Sequence, residues 1–108
     1  MTTPDPKHGP PEFDFHGYPT DRTLATIREW EAGDCAGLLN FVISAWRYPD
    51  YVSRSKDEDG DMLHLSTGGW SGNEDLIAAM EENAVWWVLH WWSSRRGGHH
   101  VFRLRGAL

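Results

Sequence analysis

From Ala84 to Trp92 the chain reads Ala-Val-Trp-Trp-Val-Leu-His-Trp-Trp, an apolar run broken only by His90. No other stretch limits the fold so strongly. Read as a strand, it places Trp86, Val88, His90 and Trp92 on one side and Val85, Trp87, Leu89 and Trp91 on the other. Both sides are then apolar, as in a central strand covered on both faces. This reading takes 84–94 as an outgoing strand, Arg95-Arg96-Gly97-Gly98 as its turn and 99–103 as the return strand of a hairpin. A single layer of helices covers only one face of a sheet. The second cover must come from the N-terminal segment, a ligand or another subunit, so a homo-oligomer is expected. The run is far shorter than the roughly 18 apolar residues of a membrane span, and no membrane association is expected.

The elements before it follow from periodicity and punctuation. Leu24, Ile27 and Trp30 recur at helical spacing after Asp21, and the pattern predicts a helix over 22–31 ended by Gly33 in a left-handed turn. Asp34 caps a second helix over 35–47, whose apolar face is Leu38, Leu39, Val42, Ile43 and Trp46. Two strands, 51–56 and 61–67, flank the polar turn Asp57-Glu58-Asp59-Gly60, with Leu63 and Leu65 on one face and Met62, His64 and Ser66 on the other. Ser71 and Glu74 have capping-box spacing at the start of a third helix over 72–83. The order is ααββαββ: an α+β fold of two N-terminal helices followed by hairpin, helix and hairpin, with a mainly antiparallel four-stranded sheet.

A chain of 108 residues makes one domain. Residues 1–20 contain Pro4, Pro6, Pro10, Pro11 and Pro19 and read as a flexible tail; residues 21–108 form the α+β domain. Seven Trp, each able to bury roughly 150–250 Å², exceed what one small core needs. The surplus is expected at a ligand pocket or a subunit contact. A net charge of −6 argues against broad nucleic-acid binding, which needs a basic surface. The single cysteine, Cys35, excludes an internal disulfide, and a cytoplasmic location is expected.

Two glycine-rich turns carry the main functional expectation. Thr67-Gly68-Gly69-Trp70-Ser71 leads from a strand into a helix, where backbone N–H groups favour an anion. Arg95 and Arg96 beside Gly97 and Gly98 can fork a phosphate or carboxylate. If the strands preceding the two turns are parallel neighbours, the turns meet. The candidate ligand-binding set is Thr67, Gly68, Gly69, Trp70, Ser71, Asn73, Arg95, Arg96 and His99, with Trp70 as the stacking ring. No catalytic residue, metal ligand or cofactor is assigned. His64, His90 and His99 with Glu74 or Asp75 remain an alternative as a metal-assisted hydrolase, although no HxxxH or CxxC spacing is present.

Taken together, Thr67-Gly68-Gly69-Trp70-Ser71-Gly72-Asn73-Glu74, the Trp-rich run, Arg96-Gly97-Gly98-His99 and the upstream Trp30-Glu31-Ala32-Gly33-Asp34-Cys35 resemble a group of small proteins encoded by tailed bacteriophages and prophages. The resemblance spans about residues 23–104. It implies a setting, the cytoplasm of an infected bacterium, rather than an activity. Small phage proteins often act as binders, and two readings follow by analogy. One is a non-enzymatic binder of a small anionic, ring-bearing ligand, such as a nucleotide or nucleotide-derived signal, in counter-defence. The other is a protein–protein inhibitor of a host bacterial enzyme.

Overall fold

The computed structural model describes residues 9–58 and 60–104. Its elements are α1 (Asp21–Arg28), α2 (Cys35–Ala45), a 3-10 turn (Pro49–Tyr51), β1 (Val52–Asp57), β2 (Gly60–Ser66), α3 (Ser71–Glu82), α4 (Ala84–His90), β3 (Trp91–Arg95) and β4 (His99–Arg103). The four strands form one antiparallel sheet in the order β1-β2-β4-β3, an α+β fold.

The alternation expected for β2 is present. Leu63 and Leu65 are fully buried, while Met62, His64 and Ser66 lie on the opposite face. Phe102 of β4 pairs with Leu63 and joins the same core as Ile27, Leu38, Leu39, Val42, Leu76, Met80 and Trp86. The helices therefore pack on one side, with α1 against α3 and α3 against α4. The other face of the sheet carries Ser53, Ser55, His64, Ser66, His99 and Arg95.

The Trp-rich run departs from its expected form. Residues 84–90 are helix, and only Trp91–Arg95 is strand, on the edge of the sheet rather than in its centre. The indole N–H of Trp86 donates to the Asp34 carbonyl at 3.1 Å, and His90 Nε2 bonds the Ala32 carbonyl at 3.0 Å. These carbonyls are two residues apart. A helix separates positions i and i+4 by about 6 Å, whereas a strand separates them by about 13 Å. Only the helix lets both side chains reach one short loop.

Three caps also differ. Thr20, not Asp21, caps α1 by accepting from the Thr23 N–H. Gly33 has no positive φ, and α1 ends at Arg28. Asn83 Nδ2 donates to the carbonyls of Ile27 (3.1 Å) and Trp30 (2.9 Å), so a left-handed glycine is not required there. Ser71 is the first helical residue of α3 rather than its cap. Its hydroxyl donates to the Tyr18 hydroxyl at 3.1 Å.

The segment preceding α1 is folded back on it. Phe13 and Pro19 form a bridge around the Asp14 turn, and Thr23 Oγ1 both receives from Glu12 N–H and donates to its carbonyl, each at 2.8 Å.

Candidate functional site

The two glycine turns meet. Strands β2 and β3 each run antiparallel to β4, which lies between them, so both end at the same edge of the sheet. The Thr67 N–H donates to the Gly98 carbonyl at 3.0 Å. Gly98 has φ +77, and a Cβ there would sit 2.2 Å from Thr67 Oγ1. Thr67 is buried; its hydroxyl receives the Gly69 N–H at 3.3 Å and faces Glu74 Oε2 at 3.5 Å. Gly68 has φ +65, and its bare Cα is covered by the Tyr51 and Tyr48 rings. The approach that glycine permits here is used by tyrosine.

Asn73 is fully buried and acts inward. Its Oδ1 accepts the Arg47 N–H at 3.0 Å, and its Nδ2 donates to the carbonyls of Arg47 (2.8 Å) and Thr67 (3.2 Å). This clamp ties the Thr67 turn to the chain leaving α2. It also fixes the backbone of an exposed arginine that no sequence pattern singled out. The Arg47 guanidinium lies 4.7 Å from the Trp70 ring centroid and 5.7 Å from that of Tyr48. Among the described residues it makes no ion pair. Trp70 is itself held by Tyr18 edge-on at 5.0 Å and by Gly72, whose missing Cβ leaves room for the indole.

Trp70 and Arg47 line a cleft of ≈ 390 Å³ with Phe13, His16, Gly17, Ser44, Ala45 and Trp46. Aromatic surface and a prepositioned guanidinium thus share one concavity, the combination that a ring-bearing anion requires. Trp46 is fixed in turn, because its indole N–H donates to the Ser66 carbonyl at 3.0 Å. The local sequence signal for Arg47 is slight: a cation between Trp46 and Tyr48, just past a helix end.

Arg95 and His99 go elsewhere. They are partners across β3 and β4, and Ser66 pairs with His99 from the other side. On this helix-free face Ser55, His64, His99 and Ser66 form a hydrogen-bonded chain. Its links are Ser55 Oγ to His64 Nε2 (2.7 Å), His64 Nδ1 to His99 Nε2 (3.1 Å) and His99 Nδ1 to Ser66 Oγ (2.8 Å). The His99 pKa is lowered, by burial first and then by the charges of His64 and Arg95. Arg96 is exposed in the turn. The nine expected residues are therefore divided. Trp70 belongs to the cleft, Thr67, Gly68, Gly69, Ser71 and Asn73 form the turn and helix start behind it, Arg95 and His99 belong to the open sheet face, and Arg96 lies apart in the exposed turn.

Of the other tryptophans, Trp30, Trp46 and Trp86 are core residues. Trp92 covers the Arg103 guanidinium at 4.2 Å, and Arg103 pairs with Asp57 at 3.1 and 3.3 Å. Trp91 stacks on Trp87 with centroids 5.9 Å apart. Val85, Val88, Leu89, Trp91 and Trp92 are exposed, Val88 at 78%.

Of the three histidines named for a metal only His64 and His99 meet, whereas His90 is buried apart from them against Trp86 and the Ala32 carbonyl. No group of three or more His, Cys, Asp or Glu suited to a metal occurs among the described residues. Cys35 is buried, with its thiol 3.8 Å from the Arg103 carbonyl. No described helix is long and apolar enough to cross a membrane. No family model, curated protein or solved structure matches this chain.

Proposed function

We propose that this protein is a non-enzymatic binding protein for a small anionic ligand that carries a ring, of the nucleotide class. The observation that carries the reading is the Arg47 guanidinium held over Trp70 at the cleft. The ligand's anionic group sits on Arg47, and its ring packs against the exposed ring of Phe13. Asn73 and Gly72 act from behind: one holds the Arg47 backbone, the other seats Trp70. In the phage setting implied by the sequence resemblance, sequestering a nucleotide-derived signal is counter-defence.

The test is calorimetry with nucleoside mono-, di- and cyclic phosphates and with ring-bearing carboxylates. At least one ligand is expected to bind at micromolar strength. Arg47→Ala is expected to weaken it by about tenfold or more, the usual cost of a lost charge-assisted contact. Absence of binding across the panel at about 1 mM, or an Arg47→Ala affinity equal to that of the parent, overturns the assignment.

A second reading, an inhibitor that docks on a host protein, is favoured by the exposed apolar residues of α4 and β3. Apolar and aromatic anchors of this kind concentrate at interfaces. The same surface would serve a homo-oligomer. Light scattering of the parent and of Val88→Asp separates the cases. A dimer that becomes a monomer identifies a second copy as the occupant, and a monomeric parent directs the search to another protein.

A further inference from the structure

The helix-free face of the sheet holds a cluster of histidine, arginine and serine side chains that the cleft does not use. The register sets its layout. Ser66, His99 and Arg95 stand side by side across β2, β4 and β3. One row along, Ser53, His64, Val101 and Ser93 do the same. The next row holds Ser55, Met62 and Arg103, with Trp92 folded over Arg103. On this face Asp57 is the acid among the described residues, and both its carboxylate oxygens engage Arg103. His64, His99 and Arg95 therefore converge beside four serine hydroxyls with no carboxylate of the described residues turned toward them, on a chain of net charge −6.

We infer that this face is a proton-linked binding site for a small oxyanion, sulfate or a phosphate monoester, built from His64, His99 and Arg95 with Ser55 and Ser66. The hydrogen-bonded chain explains the proton linkage. With both rings neutral, each nitrogen has a partner: one imidazole donates to the other, and the serines complete the ends. A first proton is accommodated with the bridge intact. A second puts N–H groups on both sides of the His64–His99 contact, breaks it, and leaves two imidazolium rings beside Arg95. A tetrahedral oxyanion resolves that state by accepting from both rings and from the guanidinium. Binding and protonation then favour each other. The lowered pKa of His99, set first by burial, agrees with a His99 ring that is neutral in the absence of an anion.

Sulfate is the probe, because its own charge is constant between about pH 5.5 and 7.5, where histidine changes charge. Titration is followed by the histidine ring resonances of the full chain. Sulfate is expected to shift the His64 and His99 resonances, with an affinity that weakens as pH rises by up to about tenfold per pH unit for each proton taken up. Arg95→Gln weakens it about tenfold, while the neighbouring Arg96→Gln and the cleft variant Arg47→Ala leave it unchanged. A nucleoside monophosphate and phosphoserine, compared with sulfate at equal ionic strength, separate a free oxyanion from a monoester; saturable, Arg95-dependent binding of either supports the site. An affinity independent of pH, or equal losses in Arg95→Gln and Arg96→Gln, overturns it. Loss in Arg47→Ala alone would return the anion to the cleft. Correct folding of each variant is read from the Trp86 indole resonance in the core.

Discussion

The side chain of Asn73 holds the backbone of Arg47 at both ends of one residue, accepting from its N–H and donating to its carbonyl. An asparagine in the first turn of α3 thus fixes a cation 26 positions earlier in the chain. The cleft depends on this link, since Arg47 lies two residues past the end of α2, beyond the extended Trp46, and no hydrogen bond of the helix sets its direction.

Asn73→Ala removes three hydrogen bonds at a fully buried position and leaves the Arg47 N–H and two carbonyls without this partner. Each orphaned group costs about 1–3 kcal/mol, offset in part by relaxation. The variant is expected to lose about 2–4 kcal/mol in urea denaturation. A loss below about 1 kcal/mol would mean that the clamp is replaced by solvent.

Gly72→Ala sets two effects against each other. In an open helix, alanine gains up to about 1 kcal/mol over glycine. Here the new Cβ would lie 2.2–2.6 Å from the Trp70 ring, so the indole must move. Overpacking of this kind costs about 1–3 kcal/mol and outweighs propensity. The expected result is a displaced Trp70 indole resonance and weaker cleft binding, with helix content by circular dichroism unchanged.

Gly98→Ala strains the backbone and the packing together. The position has φ +77, and its Cβ would meet Thr67 Oγ1 at 2.2 Å. A left-handed conformation alone costs an L-residue about 1–2 kcal/mol. The neighbouring Gly97→Ala, at φ +85 with nothing within 4 Å, carries only that backbone cost. Gly98→Ala is therefore expected to melt lower than Gly97→Ala; equal melting temperatures would show that Thr67 moves aside freely.

Stability is expected to fall with acid. Burial is the largest cause of a lowered pKa at both His99 and His100; His64 and Arg95 push the first further down, whereas Glu81 and Glu74 pull the second partly back. Below the ordinary value near 6.5 the unfolded chain binds protons that the folded chain does not yet take up. The contribution of these two neutral rings is complete above that value and is lost as pH falls toward the lower folded pKa values. Urea midpoints measured downward from neutral pH should decline, and the double variant His99→Gln, His100→Gln should decline less. Identical slopes would assign the acid sensitivity to carboxylates.

Much of the scaffold was legible in the chain, because burial on one face of an element leaves a period. Leu63 and Leu65 alternate with His64, and Leu38, Leu39 and Val42 repeat at helical spacing beside a capping Asp34. The 84–94 run was not legible for the opposite reason: a segment apolar at every position has no period to read. What makes 84–90 a helix is the spacing of two distant carbonyls, Ala32 and Asp34, which only the folded chain brings to Trp86 and His90. The two turns were found, and their meeting was foreseeable from strand direction, but β4 lies between the strands that feed them. The division of the expected residues into a cleft and an open face could not be read locally. It depends on which side of β3 and β4 each residue points to, and on Arg47, whose placement comes from Asn73.

The position of β4 has a consequence during synthesis. This strand pairs with both β2 and β3, yet it leaves the ribosome after both of them. Until Phe102 emerges, β3 has no partner strand and the apolar sides of Leu63 and Trp86 lack the ring that lies against them. Contacts so distant in sequence slow folding and keep apolar surface open while the chain is being made. The β2–β4 ladder therefore forms only once β4 is available to stand between its two neighbours, after every described helix has been made.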